Sequence, residues 1–150
     1  MAYRFRFQAL LKYREHLLTQ AQTELATAMR RHETARTLLE RTTAERDRNL
    51  ILFQEKQRSG IKAGEYHLFQ NYFVSLEQQL LQLESELQEL AKDVEEAKKF
   101  LMQRERELKM LEITDEKDRA AFRKAQAKRE QIRLDERSLM GDFTKRVELY

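Results

Sequence analysis

The 150-residue sequence contains no cysteine, no proline and no tryptophan, and only three glycines. Each absence closes off a class of structure. Without cysteine there is no disulfide framework and no thiolate metal site, which fits a reducing compartment. Without proline, and with so little glycine, the many turns of a mixed globular fold have no supply. Long hydrophobic runs are missing too. The longest is Leu50-Ile51-Leu52-Phe53, against the roughly 20 residues of a membrane span. The N-terminus, MAYRFRFQALLKYREHLL, carries charge where a signal peptide has its apolar region. These features predict a soluble cytoplasmic protein.

What the sequence has is charge, at 37%, and apolar residues with a strict spacing. Alternating steps of four and three from Phe69 meet Phe73, Leu76, Leu80, Leu83, Leu87, Leu90, Val94, Ala97 and Leu101, all apolar. A 3.5-residue repeat marks a helix that keeps one seam against another helix. An earlier stretch has a matching seam: Phe7, Leu11, Arg14, Leu18, Ala21, Leu25, Ala28, His32, Ala35, Leu39, Thr42, Arg46, Asn49 and Phe53. Between them lies Ser59-Gly60-Ile61-Lys62-Ala63-Gly64, with two of the three glycines. Glycine takes the left-handed conformation past a helix end at little cost. The predicted fold is all-α: a long antiparallel two-helix coiled coil forming one hairpin unit over 1–150. Helix 1 covers about 5–58, the turn 59–64, helix 2 about 65–141, and a tail 142–150.

Folding at that turn pairs seam positions whose numbers sum to about 125. Phe53 then meets Phe73, Leu39 meets Leu87, and Leu25 meets Leu101. Charge agrees with this pairing. Residues 1–60 hold 12 basic and 7 acidic side chains, a balance of +5, whereas residues 61–119 hold 9 and 14, a balance of −5. Opposite flanks disfavour wrong pairings, although each exposed pair contributes only about 0–1 kcal/mol. Two weak places are expected. Thr42, Arg46 and Asn49 oppose Leu83, Leu80 and Leu76, so the tip half should be mobile or leave apolar surface uncovered. Asp115 and Asp118 oppose Leu11 and Phe7. Beyond them the seam resumes at Phe122, Ala125, Ile132, Leu139 and Phe143, where helix 1 has run out. Helix 2 should overhang with an apolar stripe that has no partner in the chain.

Sites for chemistry are scarce. His16, His32 and His67 are too far apart for a helical metal pair. There is no phosphate-binding glycine loop and no nucleophile with a base beside it, and carboxylates on a solvated helix keep ordinary acidity. Neither enzyme activity nor a cofactor is expected. The overhang's basic residues Arg123, Lys124, Lys128, Arg129, Arg133 and Arg137 are interleaved with Glu130, Asp135 and Glu136 and lack aromatic stacking partners. That mixture favours a protein partner over nucleic acid. Tyr66 and Tyr72 lie off the seam and are candidates for an exposed recognition patch beside Phe69 and Phe73.

The opening MAYRFRFQALLKYRE resembles the N-terminus of the FliJ family of flagellar type III export proteins. The resemblance continues through Ser59-Gly60, Tyr66, the Phe69–Glu77 run FQNYFVSLE and the basic stretch ending Leu134-Asp135-Glu136. It implies an antiparallel coiled coil similar to the central stalk of rotary ATPases. It also implies a non-enzymatic subunit recruited to the inner face of the cell membrane at the flagellar base. The end bearing the termini would insert into the hexameric export ATPase and stimulate it. By position, the ATPase-facing residues are Phe5, Phe7, Leu11, Arg14, Phe122, Arg123, Arg129, Ile132, Asp135 and Glu136. The hairpin tip, with Phe69, Tyr72, Phe73 and Leu76, would contact the cytoplasmic domain of the membrane export gate or export chaperones. Two alternatives are the equivalent stalk of a virulence-type secretion system and a prefoldin-like holdase chaperone. A basic DNA-associated coiled coil is disfavoured by the acidic middle segment.

Overall fold

The computed structural model describes residues 2–148, which form two helices: α1, Gln8–Ser59, and α2, Ala63–Glu148. The helices pack against each other as an all-α hairpin. By their contacts they divide into two compact units, Leu18–Gln103 and Met1–Leu17 with Arg104–Tyr150.

The unit Leu18–Gln103 holds the turn and most of the seam. Gly60 has φ +97°, the left-handed conformation that ends α1. Lys56 and Arg58 in the last turn of α1, and Glu65 in the first turn of α2, sit at helix ends of complementary charge. α2 begins two residues earlier than expected and includes Gly64, which has ordinary helical geometry. All ten positions from Phe69 to Leu101 are buried or half-buried, as are the facing positions of α1 from Leu18 to Phe53. The most enclosed are Ala21, Leu76, Leu80 and Thr42.

At the expected weak layer of Thr42, Arg46 and Asn49 the facing Leu76 and Leu80 are buried, although Asn49 borders an open cleft. Thr42 is small, and its hydroxyl donates to the Leu38 carbonyl at 2.8 Å, so its methyl can join the core. The Arg46 guanidinium reaches Glu77 at 3.5 Å, leaving its aliphatic stem in the layer. Asn49 donates from Nδ2 to the Tyr72 hydroxyl at 3.0 Å.

The unit with both termini contains the principal departures from the sequence reading. Residues 2–5 are not helical; α1 starts at Gln8, not near Phe5. The arm turns onto α2, and Phe5 keeps 6% of its surface; on α2 Leu111 keeps 8%. The arm also fills the weak place at Asp115 and Asp118. The Tyr3 hydroxyl donates to Asp115 Oδ1 at 2.6 Å, and Arg6 Nε lies 3.4 Å from Asp118. At the other limit, α2 runs through Gly141 to Glu148, so the expected tail at 142–148 is helix. One glycine costs only about 1 kcal/mol in a helix interior, too little to end it without a competing cap. The tail residues 149–150 lie outside the described residues.

The register agrees with the hairpin pairing in each unit. Phe53–Phe69 and Arg46–Glu77 sum to 122 and 123; Arg14–Glu107 and Arg6–Asp118 sum to 121 and 124. All four lie within about one helical turn of the expected 125.

Candidate partner-binding surfaces

At the turn end of the Leu18–Gln103 unit, Phe53 is the hub. Its ring lies 5.8 Å from Tyr66, 5.0 Å from Phe69 and 5.8 Å from Phe73, and Phe73 is 5.5 Å from Tyr72. Lys56 Nζ stands 5.4 Å from the Phe69 ring centre. Phe69 and Phe73 are therefore half-buried members of a local core with one face outward. Leu76 is not: only 5% of its surface is open, and the cross-helix contacts of Arg46 with Glu77 and Asn49 with Tyr72 bracket it. As an exposed contact Leu76 is withdrawn. Tyr72 is half-buried rather than freely exposed, and its hydroxyl donates to Glu45 Oε1 at 3.0 Å. Burial, followed by that bond and the Glu45 charge, raises its pKa.

Sequence reasoning overlooked Leu52 and Leu68, which are 44% and 70% exposed. With Asn49, Lys56, Phe69 and Tyr72 they line an open cleft of about 520 Å³. Their signal was present: each occupies a flank position beside the seam, where a leucine in water needs a reason.

In the unit with the termini, the expected ATPase-facing residues separate into three groups. Phe5 is interior and supports the arm, so it is withdrawn as a direct contact. Leu11 and Arg14 are half-buried, and Arg14 Nη1 donates to the Glu107 carbonyl at 2.9 Å, which fixes its head group. Phe122 is half-buried, 5.6 Å from Tyr3. The third group is open to solvent: Phe7, against which Arg6 stacks at 4.8 Å, together with Arg123, Arg129, Ile132, Asp135 and Glu136. Every described residue from Arg123 onward is exposed. Ile132, Leu139, Met140, Phe143 and Val147 recur at helical spacing there and keep 49–74% of their surface. Met140 and Val147, beside the seam, widen the stripe beyond the sequence reading.

Tyr3 and Asp115 form the most polarised contact. Burial, then the bond to Asp115 and the charges of Asp115 and Asp118, push the Tyr3 pKa up to about 12. The Tyr3 bond, followed by Arg119, holds Asp115 below the usual carboxylate range, against some desolvation. Tyr3, Tyr72 and Asp115 all move away from neutrality, so none becomes an acid–base group at neutral pH. Among the described residues no cluster of ligating side chains could hold a metal, and no helix is long and apolar enough to cross a membrane. The surfaces suit helix–helix association: apolar stripes flanked by charge.

A family profile described as "Flagellar FliJ protein" matches residues 3–146. Neither a curated protein nor a solved structure matches the chain. The family match runs from the Tyr3 arm through both helices to within two residues of the end of α2. The chain therefore belongs to the FliJ family of flagellar proteins and is a component of the flagellar export apparatus.

Proposed function

We infer that the protein acts as a stalk-like, non-catalytic subunit. In this reading the overhanging part of α2 enters the hexameric export ATPase and stimulates it, while the tip cluster contacts the membrane export gate or export chaperones. Recruitment to the membrane then runs through these partners. The observation that carries the reading is the stripe from Ile132 to Val147, on a stretch of α2 where every described residue from Arg123 onward is open to solvent. Monomers rarely leave several large apolar side chains on one helix face in water without a use for them. Its mixed charges, Arg129 and Arg133 with Asp135 and Glu136, fit a protein surface carrying both signs.

The test is hydrolysis by the cognate ATPase with and without the chain. Wild type should stimulate turnover. The variant Ile132→Asp/Leu139→Asp/Phe143→Asp should lose most stimulation and retain its melting temperature, because the three side chains are exposed. Stimulation unaffected by the triple change removes the stripe from the interface. Protection of unrelated unfolding proteins from aggregation, without any stimulation, supports the holdase reading instead.

A further inference from the structure

One face of the Leu18–Gln103 unit carries an open groove that the proposed function does not use. A cleft of about 550 Å³, with Ala28, Arg31, Asp93 and Phe100 in its lining, adjoins another of about 580 Å³ that shares Arg31 and Leu90 and ends at Leu38. The groove exists because Ala28 and Ala35 are too small to roof the seam. Its two rims differ in sign. On α1 the rim carries Arg30 and Arg31 beside Glu24, a balance of +1; on α2 it carries Asp93 and Glu96, a balance of −2. Arg30, Arg31, Asp93 and Glu96 form no ion pair among the described residues. Leu38 and Phe100 are 49% and 42% exposed along the same groove.

We propose that this face binds a second copy of the chain, with the two hairpins side by side, their turns at the same end, as a weak four-helix dimer. Symmetry selects the arrangement. A two-fold axis along the groove, in the contact plane, lays α1 of the second copy over α2 of the first without changing the height of any residue. Arg31 and Asp93 stand at one height, since both line one cleft. Arg31 of each copy thus meets Asp93 of the other, and the contact occurs twice. Leu38, Leu90 and Phe100 add apolar surface to the same contact. The crossed two-fold, perpendicular to the helices, would stack α1 on α1 with basic rims together. Neighbouring helices in the favoured dimer are all antiparallel, as in an up-down four-helix bundle. The groove spans Thr23 to Leu38, about 24 Å of helix at 1.5 Å per residue. A contact that short makes a reversible, salt-sensitive dimer rather than an obligate one.

Sedimentation of the full chain at rising concentration tests this. Wild type should pass from monomer to dimer below millimolar concentration, and added salt should reverse the change. Arg31→Glu and Asp93→Arg should each weaken association about tenfold or more. Mixing the two single variants should restore it, because the introduced carboxylate of one chain then faces the introduced guanidinium of the other. The double variant, with both charges exchanged, should again pair with itself. Circular dichroism should show helix content unchanged. A wild-type chain that stays monomeric at millimolar concentration overturns the proposal, leaving the groove to a helix of another protein. So does a dimer indifferent to both changes, or swaps that lower the melting temperature but leave association intact.

Discussion

Tyr3 ties the start of the chain to a carboxylate 112 positions away, and that bond gives the molecule its clearest response to pH. Its phenol pKa stands at about 12 in the fold, above the model-compound value of 10.0. A group raised on folding contributes stability that is complete below its unfolded pKa and is lost as pH climbs through the folded one. The Tyr3 contribution should therefore disappear between about pH 10 and 12. Asp115 works in the opposite sense: its carboxyl is depressed, so its share is present above the ordinary carboxylate pKa of 3.8 and fades as pH falls below it. Absorbance titration of tyrosinate should show a late-ionising component near pH 12 that Tyr3→Phe removes. Tyr3→Phe should also lower the melting temperature at neutral pH and flatten its decline above about pH 10. A titration curve identical in the variant would mean that the arm does not hold its tyrosine against Asp115.

For the helices and their turn, the two glycines at positions 60 and 141 make a matched test. Gly60 adopts φ +97° with nothing within 4 Å of an added Cβ, so Gly60→Ala meets only backbone strain. The expected cost is about 1 kcal/mol. Gly141 lies inside α2, also with open space around it, and Gly141→Ala should raise helix content and add up to about 1 kcal/mol to the local helix. Thermal melts followed by circular dichroism should fall for Gly60→Ala, and helix content at low temperature should rise for Gly141→Ala; no gain in helix content would refute the assignment of Gly141 to helix interior. The same pair shows what was legible beforehand. Gly60 and Gly64 located the turn, and spacing located nearly every enclosed seam position, because a 3.5-residue repeat is a local property of the chain. It misjudged Gly141, where a single weak helix former was given the force of a stop. It misjudged Thr42, Arg46 and Asn49, whose polar ends find partners at Leu38, Glu77 and Tyr72 and so leave their stems free to pack. The Tyr3–Phe7 arm was the least readable. Its alternating pattern has strand character, helix was expected from about Phe5, and what fixes it is a set of side chains on a distant part of α2. The site residues divide along the same line. Ile132 was placed by periodicity, and so was Leu76 on the seam, which argues against its use as an exposed contact; the burial of Phe5 depended on three-dimensional closure that no spacing reveals.

Across the whole molecule, protection should be uneven, and that unevenness can report which end does what. Isolated helices are marginal in water unless an apolar face is packed. The stretch from Arg123 to Glu148 is exposed on every face, while Leu76 and Leu80 sit in closed layers. Amides of residues 123–148 should then exchange with deuterium orders of magnitude faster than those of 76–101, approaching the rate of unfolded peptide. Binding changes this contrast in a direction that depends on the partner. If the hexameric export ATPase holds the Ile132–Val147 stripe, exchange in 123–148 should slow sharply on adding it, and the amides beside Leu52, Leu68 and Phe69 should be unaffected. The export gate's cytoplasmic domain should do the reverse. Protection by the ATPase centred on the tip would exchange the two assignments and overturn the stalk reading. Protection of the overhang without stimulated hydrolysis would preserve the binding surface but remove its proposed effect on the enzyme.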